Sequence, residues 1–176
     1  MATTTTSTDG RRANGHQRVE HAFAHDELSY DADRKVEGCV KASFFFRKLP
    51  DVSYEHFEKH WSTVHADLTV AGKPFSEYNC IRYVQQSMPP DVRARLERIG
   101  QHPMPFDGCS IIWFRTWDDY ERFFSQHAYT AVADDCRHFM DRSSLTVYAG
   151  HDLIIFGKGI PGVDENDGIQ VPNTRE

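Results

Sequence analysis

The sequence predicts an α+β domain over residues 36–158, of βαββαβ order, with both helices on one face of a four-stranded antiparallel sheet. Three observations predict it. Hydrophobic spacing switches between a period near two and a period near 3.6, as strands alternating with helices require. Turn and capping residues fall where the period changes. With 22 Phe, Tyr and Trp among 176 residues, the chain can build one aromatic-rich core and is short for two.

Residues 39–48 are a β-branched and aromatic run ending at Leu49-Pro50-Asp51, so they read as the first strand. Ser53 is a natural N-cap, with Glu55 beside the positive end of the helix dipole. Phe57, Trp61, Val64 and Leu68 then recur at i, i+4, i+7 and i+11, one face of a helix. The second strand spans 77–87, where Ile81 and Tyr83 alternate with Arg82, and Pro89-Pro90 stops it. Residues 91–99 read as a short polar surface helix. Phe106-Asp107-Gly108 turns the chain into the third strand, 109–116. Thr116 caps the next helix, with Asp118 and Asp119 in its first turn and an apolar stripe of Tyr120, Phe123, Phe124 and His127. Helical structure, continuous or broken, runs on toward Phe139, and residues 145–156 form the fourth strand.

This order is two split βαβ units, a ferredoxin-like sheet. The strands are apolar on both sides. The first places Val40, Ala42, Phe44 and Phe46 on one side, with Cys39 and Phe45 on the other; the third sets Cys109, Ile111 and Trp113 against Ile112 and Phe114. A sheet covered on one face alternates with polar residues. Both faces here want cover and the helices supply one, so the second is expected to meet another copy of the chain, a homodimer with a barrel-like cavity between sheets. A long surface loop would serve as well.

Residues 1–35 are poor in aliphatics and read as a mobile arm, and 159–176 as a flexible acidic tail. The net charge of −6 argues against a nucleic-acid partner. Cys39, Cys80, Cys109 and Cys136 are far apart, without zinc-ligand spacing, and read as small apolar fillers in a reducing compartment. No run approaches the roughly 18 apolar residues of a membrane helix, and the N-terminus lacks a signal-peptide core. The expectation is a cytoplasmic protein with no membrane partner.

His56, His60 and His65 lie on the first helix. At 100° per residue, His65 sits about 80° round from Phe57 and His60 about 60° the other way. His65 is either a core-edge imidazole bonded to a carbonyl or a general acid/base beside a cavity. His56 and His60 are spaced to grip a metal, but no third ligand accompanies them, and none is expected. His151 shares a face with Val147, Ala149 and Leu153, where an imidazole needs a partner. Asp134, Asp135 and Asp141 are surface carboxylates, caps or site acids. Arg82 and Arg115, mid-strand, either pair with an Asp or meet a substrate carboxylate. Trp61, Tyr78, Tyr83, Trp113 and Tyr148 are core residues or, in part, the lining of a cavity for a flat ligand. No dinucleotide, phosphate-loop, nucleophile-elbow or haem motif is present, so cofactor-free chemistry is expected.

The run Phe57-Glu58-Lys59-His60-Trp61-Ser62-Thr63-Val64-His65-Ala66 resembles the F-x-x-Y-W-x-x-x-H signature of EthD-domain proteins, a branch of the dimeric α+β barrel superfamily. Tyr83-Val84-Gln85, Phe106-Asp107-Gly108, Asp135 with Phe139 and Asp141, and Gly150-His151 fall where fungal members keep similar residues. The resemblance spans roughly residues 40–156. It implies the ferredoxin-like fold, and an activity like that of atrochrysone carboxylic acid decarboxylases and related dehydratase-like enzymes of aromatic polyketides. It places His65 at the catalytic position. Two departures stand out: Ser87, where the fungal pattern has a second histidine, and Cys136, where it has Glu after Asp.

The expected mechanism is a cofactor-independent lyase on a small aromatic polyketide. His65 would donate the proton in a decarboxylation, or take one first in a dehydration or aldol-type cyclisation. His151 or Tyr83 would hydrogen-bond the phenol or enolate oxygen. Arg82 would orient a departing carboxylate, with Trp61, Trp113, Phe44 and Asp135 completing the substrate contacts. A cofactor-free anthrone-type monooxygenase and a non-catalytic polyketide-binding protein are the alternatives.

Overall fold

The computed structural model describes residues 20–125 and 130–170. They fall into two units. The first, described over 20–34, holds a 3-10 turn at Asp26–Leu28 and edge-on ring contacts of Phe23 with His21 and Tyr30, and none of its residues is buried. The remainder of the expected N-terminal arm, and His127 of the expected apolar stripe, lie outside the described residues.

The second unit, residues 35–170, is the α+β domain. Its elements are β1 (Val40–Lys48), α1 (Tyr54–His60), a π-helical turn (Trp61–His65), α2 (Ala66–Ala71), α3 (Lys73–Glu77), β2 (Cys80–Ser87), α4 (Pro90–Arg98), β3 (Gly108–Phe114), α5 (Trp117–Ser125), α6 (Thr130–Asp135), a 3-10 turn (Cys136–His138) and β4 (Met140–Gly150). The sheet is antiparallel throughout with order β2-β3-β1-β4, the ferredoxin-like arrangement. Among the described residues, no helix is long and apolar enough to cross a membrane.

The expected caps form. Ser53 Oγ accepts from the His56 N–H, and Thr116 Oγ1 from the Asp119 N–H. Two expectations differ. The fourth strand starts five residues earlier and ends at Gly150, because Met140 and Asp141 pair with Lys48 and Arg47 beyond a bulge in β1. In the first helix the buried positions are Phe57, Trp61, His65 and Thr69, while Val64 is 47% exposed. The extra residue of the π turn, where the Ala66 N–H reaches the Trp61 carbonyl, moves the inward face one position downstream.

Phe106-Asp107-Gly108 proves to be a junction. The Asp107 carboxylate accepts from the Lys48 N–H and from the Tyr54 hydroxyl, tying the end of β1 to the start of α1. A Cβ on Gly108 would sit 3.1 Å from the rings of both Phe46 and Phe57, so this strand residue must be small for α1 to lie down.

Between sheet and helices the core has two clusters. Val40, Ala42, Phe44, Ile112, Phe114 and Phe123 form one; Phe46, Phe57, Trp61, Cys136, Phe139 and Met140 form the other. On the opposite face Trp113 is buried, with the Arg82 guanidinium 4.8 Å and the Lys41 ammonium 5.3 Å from its ring. Tyr148, on the same face, is 75% exposed, not the core residue the sequence suggested.

Residues 159–170 were expected as a flexible tail but lie against this outer face. Val163 packs on Cys39 and Trp113, and the Cys39 thiol donates to its carbonyl. Buried Glu37 accepts from the backbone N–H groups of Glu165 and Asn166. Two acids that made the segment look like a solvated tail are spent on its own turns: Asp164 accepts from the Ile160 N–H and Asp167 from the Gly159 N–H.

Candidate active site

A cavity lies within the single chain, between the helix-facing side of the sheet and the helices. Its volume is about 130 Å³. Phe44, Phe46 and Ile112 form the sheet side, Phe123, Phe124 and Val132 the α5–α6 side, and Phe139, Met140 and Leu145 the start of β4. His65, Thr69, Tyr83, Ser110 and Cys136 bring polar atoms to this apolar wall.

His65 is 7% exposed. Its Nδ1 lies 3.0 Å from Asp135 Oδ2, and the other carboxylate oxygen lies 2.9 Å from His60 Nε2. In an α-helix, residues five apart point about 140° away from each other. The i→i+5 closure of the π turn brings His60 and His65 round to the same carboxylate. With Nδ1 held by Asp135, Nε2 is the His65 nitrogen left for a ligand. Burial pulls the His65 pKa below its ordinary value of 6.5, against the raising effect of Asp135. The imidazole is therefore neutral near pH 7, and the Asp135 contact favours the Nδ1–H tautomer with its lone pair on Nε2. That is a base oriented by a carboxylate.

Tyr83 reaches the cavity from β2. Its hydroxyl receives a hydrogen bond from Gln85 Nε2 at 2.8 Å and lies 3.4 Å from Ser110 Oγ. Burial holds it above the ordinary tyrosine range, so it stays protonated and can donate. Cys136 is also in the wall, its thiol pushed by burial up to about 11, which keeps it inert at neutral pH.

Of the residues singled out in the sequence, His65, Tyr83 and Phe44 meet at the cavity. Asp135 joins as the partner of His65 and is not itself among the lining residues. Trp61 lies beneath, stacked on Phe57. His151 is elsewhere: it is exposed, its Nε2 accepts from Trp117 Nε1 at 3.0 Å, and its Nδ1 lies 3.1 Å from the Cys39 carbonyl. Both nitrogens are thus spent on tying β4's end to α5 and the start of β1. Arg82 and Trp113 are on the outer face of the sheet and do not line the cavity. Arg115 donates to the Gly162 carbonyl instead. Ser87, the first departure from the fungal pattern, is exposed and outside the cavity, whereas Cys136, the second, is in its wall. Sequence reasoning missed Gln85 as a partner of Tyr83; the alternation of β2 alone puts both on one face. His56 and His60 stack at 5.8 Å, and among the described residues no group of three His, Cys, Asp or Glu is arranged to hold a metal ion.

The EthD domain matches residues 49–143, more than half of the chain. The chain belongs to the EthD family. The match runs from the turn after β1 into the start of β4 and so contains His60, His65, Tyr83, Gln85 and Asp135. No curated protein matches this EthD-family chain. Among solved structures it is similar to an EthD family protein from Bacillus halodurans, at 15% identity over 65% of this chain and 99% of that one, with a TM-score of 0.46. SnoaB, a cofactor-independent oxygenase from Streptomyces nogalater, matches at 12% identity over 65% and 91% of the two chains, TM-score 0.39. A hydroxynitrile lyase from Passiflora edulis matches at 12% identity over 66% and 94%, TM-score 0.41.

Proposed function

We propose that this EthD-family protein is a cofactor-independent lyase acting on an aromatic polyketide intermediate, with His65 moving the proton. The observation that carries the reading is the Asp135–His65 pair set in the wall of an apolar cavity. Neutral His65 takes a proton from an activated carbon or a phenol, Asp135 stabilises the imidazolium, and Tyr83 hydrogen-bonds the oxygen on which charge develops.

Of the two lyase chemistries, this arrangement favours dehydration or aldol-type cyclisation over decarboxylation. Among the described lining residues none is Lys or Arg, and Arg82, the residue expected to orient a carboxylate, is on the other side of the sheet. What supports an aromatic polyketide is the sequence resemblance to the fungal enzymes together with the aromatic walls. A cavity near 150 Å³ holds about one benzene ring, so a polycyclic ligand extends past Phe124 and Leu145, which are exposed at its edge.

The test is turnover of an enolisable aromatic β-hydroxyketone, followed by mass spectrometry, with wild-type protein and the His65→Ala variant. Loss of at least 10²-fold in rate, with folding intact, is the expected outcome; a variant that keeps its rate sinks the reading. Dioxygen consumption during turnover would point instead to the monooxygenase. Stoichiometric binding without product would point to the non-catalytic binder. The reading includes a homodimer formed through the outer face of the sheet, where Tyr148 stands exposed.

A further inference from the structure

We infer that Gln85 and Trp61 hold Tyr83 as a dedicated hydrogen-bond donor, so that the cavity selects ligands bearing an enolate or phenolate oxygen over apolar rings of the same size. The inference rests on the reading above that this cavity is the functional site.

The donor direction follows from chemistry. Gln85 Nε2 lies 2.9 Å from the backbone carbonyl of Trp61, which can only accept, so the atom there is the amide nitrogen. The same nitrogen lies 2.8 Å from the Tyr83 hydroxyl and therefore donates to it. Tyr83 Oη is thus an acceptor toward Gln85, and its own proton must go elsewhere. Ser110 Oγ, at 3.4 Å, is a long contact, and both hydroxyls line the cavity.

Trp61 supplies the second observation. Its side chain is 2% exposed, and its indole N–H makes no full hydrogen bond among the described residues. Burying a donor without a partner is unfavourable, and each such group calls for an explanation. Burial raises the Tyr83 pKa, and Ser110, Gln85 and this N–H each work against that rise. When a ligand oxygen draws on the Tyr83 proton, negative charge grows on Tyr83 Oη. The Gln85 amide, 2.8 Å away, is placed to stabilise it, and the Trp61 N–H works in the same direction. Neither faces the ligand; both are positioning residues acting through Tyr83. His65 and Tyr83 then divide the work, one taking a proton and the other receiving the charge this creates.

The test needs no knowledge of the natural substrate. Two single-ring probes suited to the cavity, 4-nitrophenolate and nitrobenzene, are titrated calorimetrically into wild-type protein and into the variants Gln85→Glu, Trp61→Phe and His65→Ala. Gln85→Glu is nearly isosteric and replaces the donor with an acceptor. Wild-type protein should prefer the phenolate. Gln85→Glu and Trp61→Phe should each weaken phenolate binding about tenfold and leave nitrobenzene within about twofold. His65→Ala should keep the preference. Equal affinity of the two probes in wild type, equal weakening of both in the variants, or a preference lost only in His65→Ala would each overturn the inference. Turnover is not read, so the lyase reading can fail in its own assay while this one stands, and the reverse.

Discussion

His65 holds its place through a residue 70 positions away. Asp135 was legible as one of several acids ending a helix, and His65 as one of three histidines on another; nothing in local spacing joins them. The structure joins them at 3.0 Å and fills the second carboxylate oxygen with His60. One consequence is a pH dependence of stability. The folded protein holds His65 below 6.5 because burial disfavours its charged form. As the pH falls, the unfolded chain takes up that proton first. The His65 contribution is therefore fully present above pH 6.5 and is lost as the pH drops through the lower folded-state value. Urea midpoints measured from about pH 8 to about pH 5 should fall in wild type and fall less in His65→Gln. Equal slopes would remove His65 as the titrating group. Polar placement was the least legible feature of all, because an imidazole or guanidinium on a strand reads the same whichever face it takes. His151 and Arg82 were candidates on that basis, and both lie outside the cavity, His151 with both ring nitrogens partnered and Arg82 over the Trp113 ring.

At the scale of elements, the π turn at Trp61–His65 decides which side chains face inward. The α-helical spacing of Phe57, Trp61, Val64 and Leu68 gave the right helix and half the right face. One extra residue in the turn puts His65 and Thr69 where Val64 and Leu68 were expected. Deleting Ser62, exposed within that turn, should restore an α-helical register while leaving the helix on either side in place. The expected result is an unchanged or raised melting temperature with turnover retained; a collapse of both would show that the wide turn itself is required. Gly108 is a second element-level constraint, since the rings of Phe46 and Phe57 already occupy the space of a side chain. Gly108→Ala should cost about 1–3 kcal/mol by overpacking, read from denaturant unfolding.

At the scale of the whole molecule, the sheet has two apolar faces and two different covers. The helices close one. Residues 159–170 cover part of the other through Val163, held by Glu37. Tyr148 remains exposed beyond that strap. If that region is the dimer face, Tyr148→Glu should shift the protein toward monomer in sedimentation velocity. A wild-type protein that sediments as a monomer at all concentrations would dismiss the dimer.

The sequence by itself determined the βαββαβ order, the caps at Ser53 and Thr116 and the apolar second face of the sheet. Those properties depend on periods and on neighbours within a few residues. It also brought His65 and Tyr83 forward, through the family signature more than through geometry. Only the tertiary structure decided that the cavity lies under the helices, that Asp135 belongs to His65, that Gln85 belongs to Tyr83 and that the acidic C-terminal segment is a strap. Each of these hinges on where a single side chain ends up after a wide helical turn, a strand bulge or a long-range contact. Periodicity averages over such single steps and so cannot register them.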